Sequence, residues 1–120
     1  MLFDLFLCES FDIVKMVKEV QDLEELKRCF TSANNKLVVV DFYADWCGPC
    51  VGIAPKIEDM DKAMDDVDFL KVNVDTAEEV AQEYKISAMP TFILFKNGEK
   101  VDNLTGANAE KLKEKINAQK

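Results

Sequence analysis

The chain has 120 residues and not one histidine. That absence excludes a Cys/His nucleophilic dyad and every zinc site that uses imidazole. Positive charge is also scarce, with 15 Lys and Arg against 23 Asp and Glu for a formal net charge of -8. Nucleic-acid binding demands clustered Lys and Arg, so that class of partner is excluded as well. Glycine and proline number only four and three, and the chain carries neither internal repeats nor low-complexity linkers. What remains is 48% hydrophobic, enough to bury roughly two thirds of the unfolded surface in one core without a metal or disulfide staple.

Residues 1–15, MLFDLFLCESFDIVK, lack the marks of a targeting segment. No basic leader precedes the short apolar stretch, and Asp4 interrupts it, which argues against a secretory signal. Asp4, Glu9 and Asp12 against a single Lys15 argue against a mitochondrial leader, which is rich in Arg and poor in acids. Phe3, Leu7, Phe11 and Val14 recur at helical spacing with Phe6 beside them, the pattern of a short amphipathic helix.

Cysteine is present four times, and two of the four are placed for chemistry. Trp46-Cys47-Gly48-Pro49-Cys50 follows Leu37-Val38-Val39-Val40-Asp41-Phe42-Tyr43-Ala44 with only Asp45 between them. A run apolar at nearly every position reads as a strand buried on both faces, so the cysteines emerge where a parallel sheet hands its chain to a helix. A thiol in the first turn of a helix faces unpaired N–H groups and the positive dipole end, both of which favour thiolate. A second thiol three residues on can close a small disulfide, so the pair can attack a disulfide and release itself by internal exchange. Taken alone, C-x-x-C also suits half a zinc site. An all-cysteine site would have to recruit Cys8 and Cys29, whose spacing forms no second C-x-x-C.

The remaining chain reads as an edge strand at residues 16–20, then a helix at 23–33 with Asp22 and Glu25 as its capping pair. A long helix from Cys47 to about Met64 follows the central strand, with Pro55 expected to kink it. A third strand is expected at 69–74, then a helix capped by Thr76 and Glu79. Residues 92–101 form a hairpin turning at Asn97-Gly98, and a last helix starts at Asn108. The β-α-β then β-β-α order implies an α/β fold, a mixed sheet with helices on both faces.

Taken together, the WCGPC motif, the preceding VVVDFYA strand, IAPKI, FLKVNVD, SAMPTFILFKNGEKV and the TGAN turn resemble the thioredoxin family over roughly residues 16–120. The resemblance implies the thioredoxin fold, a central mixed sheet of about five strands with about four helices. Residues 1–15 then read as an amino-terminal extension to a domain at 16–120. It implies a protein-disulfide reductase that works by dithiol–disulfide exchange, an electron carrier in cell redox homeostasis. No cofactor would be held by the chain. Its expected partners are disulfide-containing client proteins and an NADPH-dependent thioredoxin reductase, with no membrane and no nucleic acid. A cytoplasmic monomer is expected. Cys8 has two readings, a thiol that cross-links two chains into a dimer or one that is packed and inert.

Roles follow from the same likeness. Cys47 is the expected nucleophile and Cys50 the resolving thiol, one helical turn inward and more buried. The resemblance implies a Cys47 thiol near pKa 7 against about 8.5 for a free one, a difference of about 2 kcal/mol. A helix dipole supplies only about 0.3 to 1 kcal/mol of that, so direct hydrogen bonds to the thiolate must supply much of the rest. The Gly48-Pro49 insert belongs to the strongly reducing members; an isomerase would carry Gly-His and a glutaredoxin Pro-Tyr.

Asp41 lies inside a buried strand, where an unpaired carboxylate is costly and shifts toward its neutral form. The resemblance places it behind Cys50 as the group that takes and returns the resolving thiol's proton. Lys71 would act on Asp41 electrostatically, although by itself it reads as a strand-edge surface lysine. A cis bond at Met89-Pro90 would face Cys47 and present backbone to an extended client. Trp46, Gly48, Pro49, Ala88, Met89, Pro90, Gly106 and Ala107 would then form a flat, mostly uncharged docking patch, unless Trp46 serves as core. Val51-Gly52 departs from the family, which usually carries Lys or Arg and then a larger residue. Cys29, near Leu26 and Phe30, reads as a small buried hydrophobe. Two other readings remain open: a non-catalytic adapter with an incidental dithiol, and an isomerase or oxidase.

Overall fold

The computed structural model describes residues 16–120; the expected extension, its helical stripe and Cys8 lie outside them. Strand β1 (Lys18–Glu19) leads to helix α1 (Leu23–Ala33), strand β2 (Leu37–Tyr43), helix α2 (Gly48–Ala63) and strand β3 (Val67–Asn73). Helix α3 (Glu78–Glu83), strands β4 (Thr91–Lys96) and β5 (Glu99–Thr105) and helix α4 (Ala109–Gln119) complete the order. The strands form one sheet in the order β1-β3-β2-β4-β5. β1, β3 and β2 run parallel, while β4 and β5 are antiparallel to their neighbours.

Strand alternation divides the core between the two faces. Leu37 and Val39 of β2, Val67 and Phe69 of β3 and Phe92 and Leu94 of β4 pack against Ile53, Ile57 and Met60 of α2 and Leu112 and Ile116 of α4. On the other face Val38, Val40 and Phe42 meet Leu26, Cys29 and Ala33 of α1 and Val80 of α3. Cys29 is buried among apolar side chains, as its helical position suggests, but it is disulfide-bonded and so more than a small hydrophobe. β2 is central and covered on both sides, which is why its sequence is apolar without alternation.

The helix starts follow their capping chemistry. Asp22 Oδ1 accepts from Glu25 N at 2.8 Å and Glu25 returns a bond to Gln21 N, and Asn108 Oδ1 accepts from Lys111 N. The hairpin turns where expected, with Asn97 and Gly98 both at positive φ (55° and 80°), as a type I′ turn requires. α2 runs on through Pro55 as a single helix. Three expectations shift. The β1 ladder spans only Lys18–Glu19, and β3 begins at Val67. α3 starts without a side-chain cap. Its approach is organised by Asn73 instead, whose Oδ1 accepts from Asp75 N and whose carbonyl accepts from Ala77 N, so Thr76 is left exposed. Among the described residues no helix is long and apolar enough to cross a membrane.

Candidate active site

β2 delivers the cysteine pair at the carboxyl end of the sheet, where α/β domains place their chemistry. Cys47 is the N-cap of α2, with Pro49 in the first turn, where a missing N–H costs nothing. Cys47 and Cys50 are joined by a disulfide with their Cα atoms 5.3 Å apart. Cys47 Sγ accepts from Cys50 N at 3.2 Å, a direct case of a helix-terminal N–H serving the cap sulfur. The residues differ hardly at all in exposure, 5% for Cys47 and 4% for Cys50. Cys50 is the more buried of the two by only that small margin, because in the oxidised pair the ring ties both residues into the same apolar cluster with Ala44, Tyr43, Val74 and Met89.

What sets Cys47 apart is its surroundings. Its sulfur lies 3.6 Å from the Met89 carbonyl oxygen. The Met89–Pro90 bond is cis. Gly106 N donates to the Pro90 carbonyl at 2.9 Å, and Thr91 Oγ1 donates to the Ala88 carbonyl at 2.6 Å. These bonds bring the loop at 88–90 and the turn at 106–107 to one end of the sheet. Gly106 has φ +109°, a conformation that side chains rarely adopt. Of the residues expected to form the docking patch, Gly48, Pro49, Ala88 and Ala107 are exposed, Met89 and Gly106 half-buried and Pro90 buried. Trp46 is 70% exposed, so it is not core. Its indole N–H donates to Asp75 Oδ2 at 2.9 Å, an orienting contact that the strand-end position of Asp75 did not announce. Val51, 61% exposed, adds an apolar side chain beside the pair.

Asp41 is buried in β2, and its Oδ1 has no hydrogen-bond partner among the described residues. Burial pushes the carboxyl from an ordinary 3.8 up to about 7, partly offset by the Lys71 ammonium. Asp41 and Lys71 are register partners on neighbouring strands, and register partners point to the same face. Lys71 Nζ stands 5.8 Å from the centre of the Tyr43 ring, and Tyr43 OH donates to Glu19 Oε2 at 2.8 Å. Sequence reasoning passed over Tyr43 and Glu19. Tyr43 lies two residues beyond Asp41 in one strand, which already puts both on one face.

The thioredoxin family profile, described as "Thioredoxin", matches residues 15–118. Thioredoxin-1 of Schizosaccharomyces pombe is 50% identical over 103 residues, covering 86% of this chain and 98% of that protein. Thioredoxin of Ictalurus punctatus is 47% identical over 107 residues, covering 88% and 100%. Among solved structures, Fasciola hepatica thioredoxin superposes with a TM-score of 0.85 at 43% identity, covering 87% of this chain and all of that one (100%). With the fold, the cysteine pair and these relatives in agreement, the chain belongs to the thioredoxin family, and it is a thiol–disulfide oxidoreductase acting by dithiol–disulfide exchange.

Proposed function

We propose that this protein reduces client disulfides with Cys47 as the attacking thiolate and Cys50 as the resolving thiol. The observation that carries this reading is the position of Cys47 as N-cap of α2, its sulfur beside both the Cys50 N–H and the Met89 carbonyl. The Cys47 thiolate attacks one sulfur of the client disulfide, forming a mixed disulfide and releasing the first client thiolate. Cys50 then loses its proton and attacks the Cys47 sulfur. The Cys47–Cys50 bond forms, the second client thiolate leaves, and two electrons have passed to the client.

Asp41 is the acceptor we assign for the Cys50 proton, since a carboxyl titrating at about 7 is matched to proton transfer near neutral pH. Lys71 moderates that affinity. The client lies extended across Met89 and cis-Pro90, its backbone paired to the loop and its side chains over Trp46, Gly48, Pro49, Ala88, Gly106 and Ala107. An NADPH-dependent thioredoxin reductase returns the electrons, and the protein works in the cytoplasm as a monomer. The domain that does this is residues 16–120, with 1–15 as an extension.

Insulin reduction followed by turbidity tests the reading. The wild type should precipitate insulin B chains with dithiothreitol as electron source, and Cys47→Ser should fall to the uncatalysed background. Turbidity at the wild-type rate in that variant would overturn the assignment and favour an adapter.

A further inference from the structure

Glu19, Lys71 and Asp41 form one row across three adjacent strands, since Lys71 is in register with Glu19 of β1 on one side and with Asp41 of β2 on the other. All three side chains therefore lie on the same face. A lysine between two carboxylates has two competing partners. Here the competition is already biased, because Glu19 Oε2 accepts the Tyr43 hydroxyl at 2.8 Å. The Lys71 ammonium stands instead over the Tyr43 ring, 5.8 Å from its centre, within the range at which a ring face attracts a cation. The second row of the same face carries Tyr43 in register with Asn73, and Asn73 Nδ2 donates to Asp45 Oδ2 at 3.4 Å.

We propose that Tyr43 and Glu19 are positioning residues for the redox site: the Tyr43 hydroxyl occupies the Glu19 carboxylate, so that the Lys71 ammonium stays on the Tyr43 ring and serves Asp41. The arrangement joins the exposed strand edge to the buried carboxyl. Tyr43 remains a donor at any physiological pH, because burial and then the bond to Glu19 hold its hydroxyl well above the usual tyrosine range. The other groups near Asp41 do not supply this cation. α2, packed on the same face, brings Cys47, Cys50, Glu58 and the buried Asp61. β4 places Phe92 opposite Asp41, and α4 contributes Leu112 and Ile116. Lys71 is the cation that acts on Asp41.

This inference gives the proton acceptor of the proposed function its electrostatic setting, and it is read out on Asp41 itself. In protein labelled with 13C at the Asp carboxyls, the Asp41 midpoint is followed by NMR in the wild type, Tyr43→Phe, Glu19→Gln and the double variant. Tyr43→Phe keeps the ring but frees Glu19 to draw Lys71 away, so the Asp41 midpoint should rise by about half a pH unit or more, part of what a nearby cation contributes. Glu19→Gln removes the rival, so the midpoint should stay or fall. In that background Tyr43→Phe should have no further effect. An equal rise from Tyr43→Phe with and without Glu19, or no rise at all, overturns the proposal. Glu19→Gln alone, at a half-buried edge position, overturns it by raising the midpoint. The pH profile of client reduction is recorded in parallel. If the Asp41 midpoint follows this cycle while the rate profile stays fixed, the positioning stands and the proton-acceptor role fails.

Discussion

The sulfur of Cys47 and the carbonyl oxygen of Met89 face each other at 3.6 Å, although 42 residues of chain separate them. One comes from the turn after β2 and the other from the loop before β4, strands that are antiparallel neighbours. Sheet register alone therefore brings the Cys47 sulfur to the backbone carbonyl that we propose pairs with an extended client. The first prediction follows from that asymmetry. Cys50→Ser keeps the sulfur that meets the client and removes the one that releases it, so the mixed disulfide should accumulate. Mass spectrometry after incubation with client should find a stable adduct on Cys47, whereas Cys47→Ser should trap little. An adduct found chiefly on Cys8 or Cys29 would reverse the assignment.

Gly98→Ala should lower stability without touching activity. Gly98 holds φ +80° in the β4–β5 turn, and a Cβ there would meet nothing within 4 Å, so the cost is backbone strain alone, about 1 kcal/mol. Leu37 at the start of β2 is in register with Lys96, which puts the turn at the far end of the sheet from Cys47. Urea unfolding should show a lower midpoint at unchanged slope, with insulin reduction at the wild-type rate. A loss of activity greater than the loss of folded protein would contradict this separation.

Much of this architecture could be read from the chain before any coordinates. The apolar run 37–44 gave a two-sided central strand, Asn97-Gly98 a hairpin turn, and Asp22 and Asn108 the starts of two helices, because each rests on local chemistry. Where the reading slipped, the deciding interaction was not local. Thr76 and Glu79 form a plausible capping pair, yet Asn73 captures the Asp75 N–H first, and α3 starts without a side-chain cap. The cysteines were legible as a pair, but their near-equal burial comes from contacts with Val74 and Met89, remote in sequence. The expected docking residues required the loops at 88–90 and 106–107 to meet, and it is the pairing of Thr91 with Thr105 and the bond from Gly106 N to the Pro90 carbonyl that join them. Glu19 went unread since strand-to-strand register cannot be counted along one chain, whereas Tyr43 was signalled by its two-residue spacing from Asp41 in one strand.

Asp75 offers a test of the docking surface that leaves the cysteines alone. Its carboxylate orients the Trp46 indole at 2.9 Å, and Trp46 is the only tryptophan, so its fluorescence reports this contact directly. Asp75→Ala should shift the emission and raise KM for peptide clients roughly two- to fivefold, the effect of about 0.5 to 1 kcal/mol for one exposed hydrogen bond. Little change in kcat is expected, because the substitution leaves both sulfurs in place. A fluorescence shift with unaltered KM would remove Trp46 from the client surface.

The buried carboxyl gives the sharpest pH signature. Asp41 titrates at an ordinary 3.8 when unfolded and at about 7 when folded, because burial disfavours its charge. Between those values the folded chain keeps a proton that the unfolded chain has released, so at this site stability falls as pH rises. The loss begins near pH 4, runs through about 7 and is complete above it, reaching at most about 4 kcal/mol. Asp41→Asn carries no charge in either state and escapes the slope. Its stability relative to wild type should therefore be nearly equal at pH 4 and clearly greater at pH 8, measured by urea unfolding at both. Stopped-flow reduction should show the step that needs the Cys50 proton removed slowing more than attack by Cys47. A stability difference independent of pH, with both steps at wild-type rate, would make Asp41 a structural carboxylate.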